Sequence, residues 1–150
     1  MNTRIAPVSG NEITTVLGAK PLKHIEKIID NVLPHTERCI MAKGEVIHYY
    51  SGDIRQCFLL LHGSVALHRR GDGIVLNSES APFILGVSSQ FSSEHLYVRA
   101  LETSEVASVT LERFNHVVAQ QNLWESFSNL LIYTASRVYE HCAQISQMSA

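Results

Sequence analysis

The sequence predicts a mainly β domain with flanking helices, and three observations carry that prediction. Between Glu37 and about Leu111, short apolar runs alternate with turn signals: Lys43-Gly44-Glu45, Ser51-Gly52-Asp53, His62-Gly63-Ser64, Gly71-Asp72-Gly73 and Ser80-Ala81-Pro82. Their spacing of about ten residues suits a small sandwich or barrel of antiparallel strands. No helical periodicity interrupts this block, which argues against a parallel α/β sheet. On either side of it the apolar residues recur at helical steps instead.

Residues 1–20 form a weakly patterned N-terminal segment, with a short helix expected around Ile13 to Leu17 and ending at Gly18. Pro21 suits the first position of a helix. From there Leu22, Ile25, Ile28, Ile29, Val32 and Leu33 make one apolar face, so Pro21 to Leu33 is expected to be an amphipathic helix that Pro34 ends. Within the β block, Asp72-Gly73 between "SVALHRR" and "IVLNS" is the strongest hairpin signal. Gly44, Gly52 and Gly63 fall at corners where positive φ or close backbone approach is expected. Period-two alternation places Cys57 on the face of Leu59 and Leu61. Cys39 falls in the first strand, and both cysteines read as buried small hydrophobes. After Leu111, the residues Leu111, Phe114, Val117 and Val118 give a short helix, and Asn122 is placed to cap the next one.

The last segment has an unusually regular pattern. Trp124, Phe127, Leu131, Thr134, Val138, His141, Ile145 and Met148 follow one another in steps of three and four without a slip. Such a heptad seam suits a helix packed along another helix. Its first turns, Trp124 to Leu131, are expected on the β domain, and the remainder against a symmetry mate, giving a homodimer. Thr134 and His141 interrupt the apolar seam and would set register and orientation. Cys142 neighbours the seam and is the candidate redox position, through oxidation or an intersubunit disulfide.

Composition narrows the function. The 150 residues, 45% of them hydrophobic, can build one core. The net charge of −2, from 12 basic and 14 acidic residues, provides no basic face for DNA or anionic lipid. His68-Arg69-Arg70 reads as a solvated hairpin end. No apolar run approaches the ~20 residues of a membrane span, and the N-terminus lacks a secretory pattern. Three widely spaced cysteines give neither a disulfide framework nor a CxxC pair, so a reducing cytoplasm is expected. No nucleophile, base and orienter come together in the sequence, and no His/Cys cluster has zinc-ligand spacing. His62 and His68 straddle the Gly63 turn and do not fit the paired histidines of a cupin-like metalloenzyme, the enzymatic alternative. No cofactor, no metal and no catalytic residue are therefore expected.

The order helix, antiparallel β block, short helix and long terminal helix resembles the sensor half of Crp–Fnr-type bacterial transcription regulators. The carriers are "KGEVIHYYSGD" (Lys43 to Asp53), "FLLLHGSVALHRR" (Phe58 to Arg70), "FILG" (Phe83 to Gly86) and "VRALETSEVASVTLERF" (Val98 to Phe114). "APFILG" together with "QQNLWESF" (Gln120 to Phe127) is similar to the enterobacterial subgroup called inhibitor of hydrogen peroxide resistance. The resemblance implies an antiparallel β-roll or jelly roll, cyclic-nucleotide-binding-like, over residues 21–121. It also implies a dimerisation helix over 122–150, and a winged helix-turn-helix domain after residue 150 that is absent from this chain and through which alone DNA would be contacted. A link to peroxide stress follows from the subgroup; a stand-alone partner-binding module is the rival reading.

The resemblance stops short of the family's usual ligand. In the family a glycine–glutamate pair opens the phosphate-binding turn and an arginine–small-residue pair closes it. Here the opening is Gly86-Val87 and the closing pair is Glu94-His95. Val87 cannot accept a ribose hydroxyl, Ser88 begins a polar stretch without cations, and Glu94 would repel a phosphate where a guanidinium should neutralise it. The cassette of Gly86, Val87, Ser88, Glu94 and His95 is thus expected to be degenerate, without cyclic-nucleotide binding. The oxygen-sensing branch's N-terminal cysteine cluster has no counterpart in the first 38 residues, and His62 and His68 lack the spacing for haem ligation.

Overall fold

The computed structural model describes residues 19–87 and 96–149, with the side chains of the last helix described as far as Arg137. The helix expected at Ile13 to Leu17 lies outside these residues.

Helix α1 runs Leu22–Val32 and a 3-10 turn follows at Leu33–His35. Ile25, Ile28, Ile29 and Val32 are buried, whereas Leu22, at the solvent end of the same stripe, is exposed. Pro21 stands just outside the helix, where its carbonyl accepts the Ile25 N–H at 3.0 Å. A proline has no N–H to place within the first turn, which is why it marks this boundary.

Among the described residues nine strands follow: β1 Glu37–Met41, β2 Val46–His48, β3 Tyr50–Ser51, β4 Ile54–His62, β5 Ser64–Arg69, β6 Val75–Ser80, β7 Phe83–Leu85, β8 Leu96–Ala100 and β9 Ser104–Thr110. They form two antiparallel sheets. One has the order β1-β9-β4-β3, with β7 also pairing β4; the other has the order β2-β8-β5-β6. Strand β4 is buried on both faces at Cys57, Phe58, Leu59 and Leu60. The helix Leu111–Gln120 also packs on β4.

Gly63 turns the chain from the first sheet into the second. Its φ is +97°, and a Cβ there would lie 2.2 Å from Ser104 Oγ, so a side chain is excluded by conformation and by space. The expected hairpin joins β5 to β6. Asp72 Oδ1 accepts from Arg69 Nε and the Ile74 N–H, both at 3.1 Å, and Gly73 takes φ +74°. Arg69 and Arg70 are exposed at this tip, as expected, but His68 is only 6% exposed and belongs to the packed part of the hairpin.

Helix α2 spans Leu111–Gln120 and is capped by Thr110, whose hydroxyl accepts the Arg113 N–H at 3.1 Å. Helix α3 spans Trp124–Ser149. The expectation that Asn122 caps α3 is corrected: Asn122 has φ +54° and closes α2, a left-handed position that asparagine tolerates. The Leu123 carbonyl opens the bonding of α3 by accepting Phe127 N–H.

Two further expectations change. Cys57 is fully buried, but Cys39 is exposed, because β1 is an edge strand with only Met41 buried. The first turns of α3 do lie on the domain, through Ser126, Leu130 and partly Phe127, but the burial runs on to Tyr133, past the expected limit at Leu131. Of the seam residues, Trp124 is 51% exposed, Phe127 packs partly against the core, and Leu131 and Thr134 are half-buried. Val138, His141, Ile145 and Met148 lie beyond the described side chains, as does Cys142.

Candidate functional site

Gly86, the opening residue of the expected cassette, directly follows strand β7. Gly86 has φ +89°, and a Cβ there would meet the Tyr49 ring at 2.7 Å. The turn therefore requires glycine twice over, once for the conformation and once for the tyrosine laid against it. The Gly86 carbonyl accepts a 3.0 Å hydrogen bond from Arg55 Nη2. Val87 is buried and presents an apolar surface where the family pattern has a carboxylate. Ser88, Glu94 and His95 lie outside the described residues. The chain resumes at Leu96, which is also buried.

Behind this turn, between the roll and α3, lies a cavity of about 60 Å³. Val65, Leu67, Phe83 and Leu85 form apolar walls, and Tyr49 and Arg55 stand at the Gly86 end. Burial pushes the Tyr49 hydroxyl above its ordinary range, although the charge of Arg55 opposes the shift. As bounded by the described residues, this volume is far below the roughly 300–1,000 Å³ of typical small-molecule pockets.

The opposite wall is charged. Glu79 on β6 is 8% exposed, yet it gathers donors from three parts of the chain. The Tyr133 hydroxyl donates to its carboxylate at 3.0 and 3.2 Å, and Asn77 Nδ2 donates at 3.3 Å. Arg137 Nε lies 3.4 Å and Lys20 Nζ 3.9 Å from the same group. Arg137 Nη2 also donates to Asn77 Oδ1 at 2.9 Å and to the Ser78 carbonyl at 3.1 Å. Lys20 donates to the Ser80 carbonyl and lies over the Phe83 ring. Burial holds the Lys20 ammonium below the usual lysine range; Glu79 opposes that shift and Arg137 adds to it. Buried charges of this kind persist where they are paired and hydrogen-bonded.

This cluster is not legible in the sequence, because nothing local in "NSES" marks Glu79 as facing inward. A bulge near Val75 turns both Leu76 and Asn77 inward, and Glu79 then follows on the inner side. The available signal was the pair Tyr133 and Arg137, a hydroxyl and a guanidinium four residues apart on one helix face.

The remaining candidates are dispersed. On the outer face of the second sheet, His68 stacks on Tyr97 with ring centroids 4.9 Å apart. Its Nδ1 lies 2.9 Å from the Gly73 carbonyl and its Nε2 accepts from Arg99 Nε at 3.0 Å, which fixes the neutral Nδ1–H tautomer. His62 sits at the exposed Gly63 corner, 3.6 Å from Glu105. Among the described residues, no three His, Cys, Asp or Glu side chains are grouped to hold a metal ion. No helix among them is long and apolar enough to cross a membrane.

No family model matches the sequence, and no curated protein matches it. Solved structures do share its fold. The c-di-GMP-responsive global regulator CLP of Xanthomonas campestris aligns with a TM-score of 0.67 at 14% identity, over 83% of this chain and 64% of that one. The heme domain of CooA from Rhodospirillum rubrum aligns at 0.63 and 18% identity, over 82% and 92% of the two chains. The Thermus thermophilus catabolite activator protein aligns at 0.59 and 20% identity, over 91% and 63%. The chain thus spans slightly less than two thirds of the CLP and catabolite activator chains. At these identities the likeness establishes the fold alone, an antiparallel β-roll flanked by helices that this chain shares with those structures.

Proposed function

We infer that this chain is the sensor and dimerising part of a Crp–Fnr-like transcription regulator that does not answer to cyclic nucleotides. The observation that carries this reading is the turn at Gly86-Val87. The roll keeps the glycine and its strained backbone, while the next residue is a buried valine facing a cavity of about 60 Å³. A cyclic phosphate needs a cation and an acceptor for the ribose hydroxyl, and Val87 can supply neither. One fold can serve unlike ligands: the CLP structure is described as c-di-GMP-responsive and the CooA fragment as a heme domain. Loss of the usual ligand is therefore compatible with a sensing role. A part in peroxide-stress control follows the subgroup resemblance of "APFILG" and "QQNLWESF".

DNA would be contacted through a winged helix-turn-helix domain beyond these residues. The signal would reach it through α3, paired with the α3 of a second copy. Trp124 and Ile132, 51% and 57% exposed, support an outward apolar side on this helix. Sedimentation equilibrium at micromolar concentration tests the pairing. The expected result is a dimer whose dissociation constant is unchanged by cyclic AMP, and a monomer for Leu131→Glu. A monomeric native chain, or a dimer tightened by cyclic AMP, would overturn this reading.

A further inference from the structure

We propose that the cluster around Glu79 is a latch that sets the pose of α3 on the roll, one carboxylate being shared between the segment before α1 and the long helix. Its regulatory meaning rests on the sensor reading above; its mechanical claim stands separately.

The cluster lies where three parts of the chain meet. Lys20 arrives just before α1, Glu79 and Asn77 belong to the sheet, and Tyr133 and Arg137 are one turn apart on α3. Apolar hold on this part of α3 is slight. Beyond Ser126 its buried apolar contacts among the described side chains come from Leu130 and Tyr133, with Phe127 only partly buried. Tyr133 contributes at both levels, through its ring edge on Phe83 at 5.9 Å and through its hydroxyl on Glu79. Packing on α1 holds the helix on one side, and the polar cluster is what ties its turn from Tyr133 to Arg137 to β6.

Neutralising Glu79 would leave Lys20 and Arg137 facing each other without the carboxylate between them. Both can regain water by swinging outward, and such relief carries α3 away from β6. The roll does not depend on the cluster for its own closure, because β4 and β9 are held together by ladder bonds and apolar burial that the cluster does not enter. The consequence for sensing is direct. Asn77, Ser78, Glu79 and Thr134 line the cavity wall, so a small polar group entering there would compete with Tyr133 and Arg137 for the Glu79 carboxylate and the Asn77 amide.

Hydrogen exchange on the whole chain tests the latch, comparing native protein with Glu79→Gln and with Arg137→Met. The expected result for either variant is that amides of Leu130 to Arg137 exchange about tenfold faster or more, while amides of β4 and β9 keep their protection. Unchanged exchange in α3 would refute the latch. So would equal acceleration in α3 and in β4 and β9, since the cluster would then be an ordinary part of global stability. The outcome is independent of whether any nucleotide binds, so failure here leaves the sensor reading intact.

Discussion

Cys57 and Cys39 show how much one residue type depends on its place in the strand order. Cys57 is on the central strand β4, fully buried, with its thiol 3.6 Å from the Val109 carbonyl. Burial pushes that thiol up to about 12, against the opposing charge of Arg55. Cys39 lies on the edge strand β1 and meets solvent. Native protein should therefore label at Cys39 with a thiol reagent and leave Cys57 unmodified. Linkage gives a second readout. The unfolded thiol ionises from its ordinary value of 9.0 while the folded thiol stays neutral, so the folded state holds more protons between 9.0 and about 12. That stability is fully present below the lower value and is lost as pH rises towards the upper. Tyr49, also raised by burial, acts in the same direction. Denaturant unfolding of native protein should weaken across this alkaline range, and Cys57→Ala should flatten the loss. Prompt labelling of Cys57, or an unchanged slope in the variant, would contradict this account.

Among the elements, those with strong local signals were readable in advance. The stripe of Ile25, Ile28, Ile29 and Val32 predicts α1 because a helix buries residues at just those steps. Asp72-Gly73 predicts the β5–β6 hairpin because its side chain and backbone satisfy the turn locally. The details of α3 were less readable. The heptad pattern located the helix and its first turns on the domain, but the buried contacts come largely from Leu130 and Tyr133, which lie off the seam. A helix with apolar residues on two sides carries two competing stripes, and only tertiary packing selects which one is covered. The hairpin offers its own prediction. The Arg69 guanidinium, then the Ile74 N–H, hold the exposed Asp72 carboxyl at about 2, below its ordinary 3.8. Its support for the turn is present above the ordinary value and is lost as pH falls through about 2. Asp72→Asn should speed exchange of the Ile74 amide several-fold near neutral pH without altering the core strands; unchanged exchange would show that the carboxylate does not order the turn.

For the whole molecule, turn spacing and the sheltered β block were enough to predict an antiparallel roll between helices. The assignment of strands to sheets was not readable. Consecutive strands β4 and β5 belong to different sheets because Gly63 turns sharply against Ser104, a contact made across long sequence separation. The site was half readable. Gly86 stands at a positive-φ turn beside the buried Val87, but the inward turn of Glu79 depends on a bulge, and its cations come from Lys20 and Arg137, far apart in the chain. The central claim is that this roll retains a cyclic-nucleotide-binding-like architecture without the ligand. Isothermal calorimetry of the native chain with cyclic AMP and cyclic GMP tests it most directly. The account predicts no saturable heat from either nucleotide, and micromolar binding of one of them would contradict it.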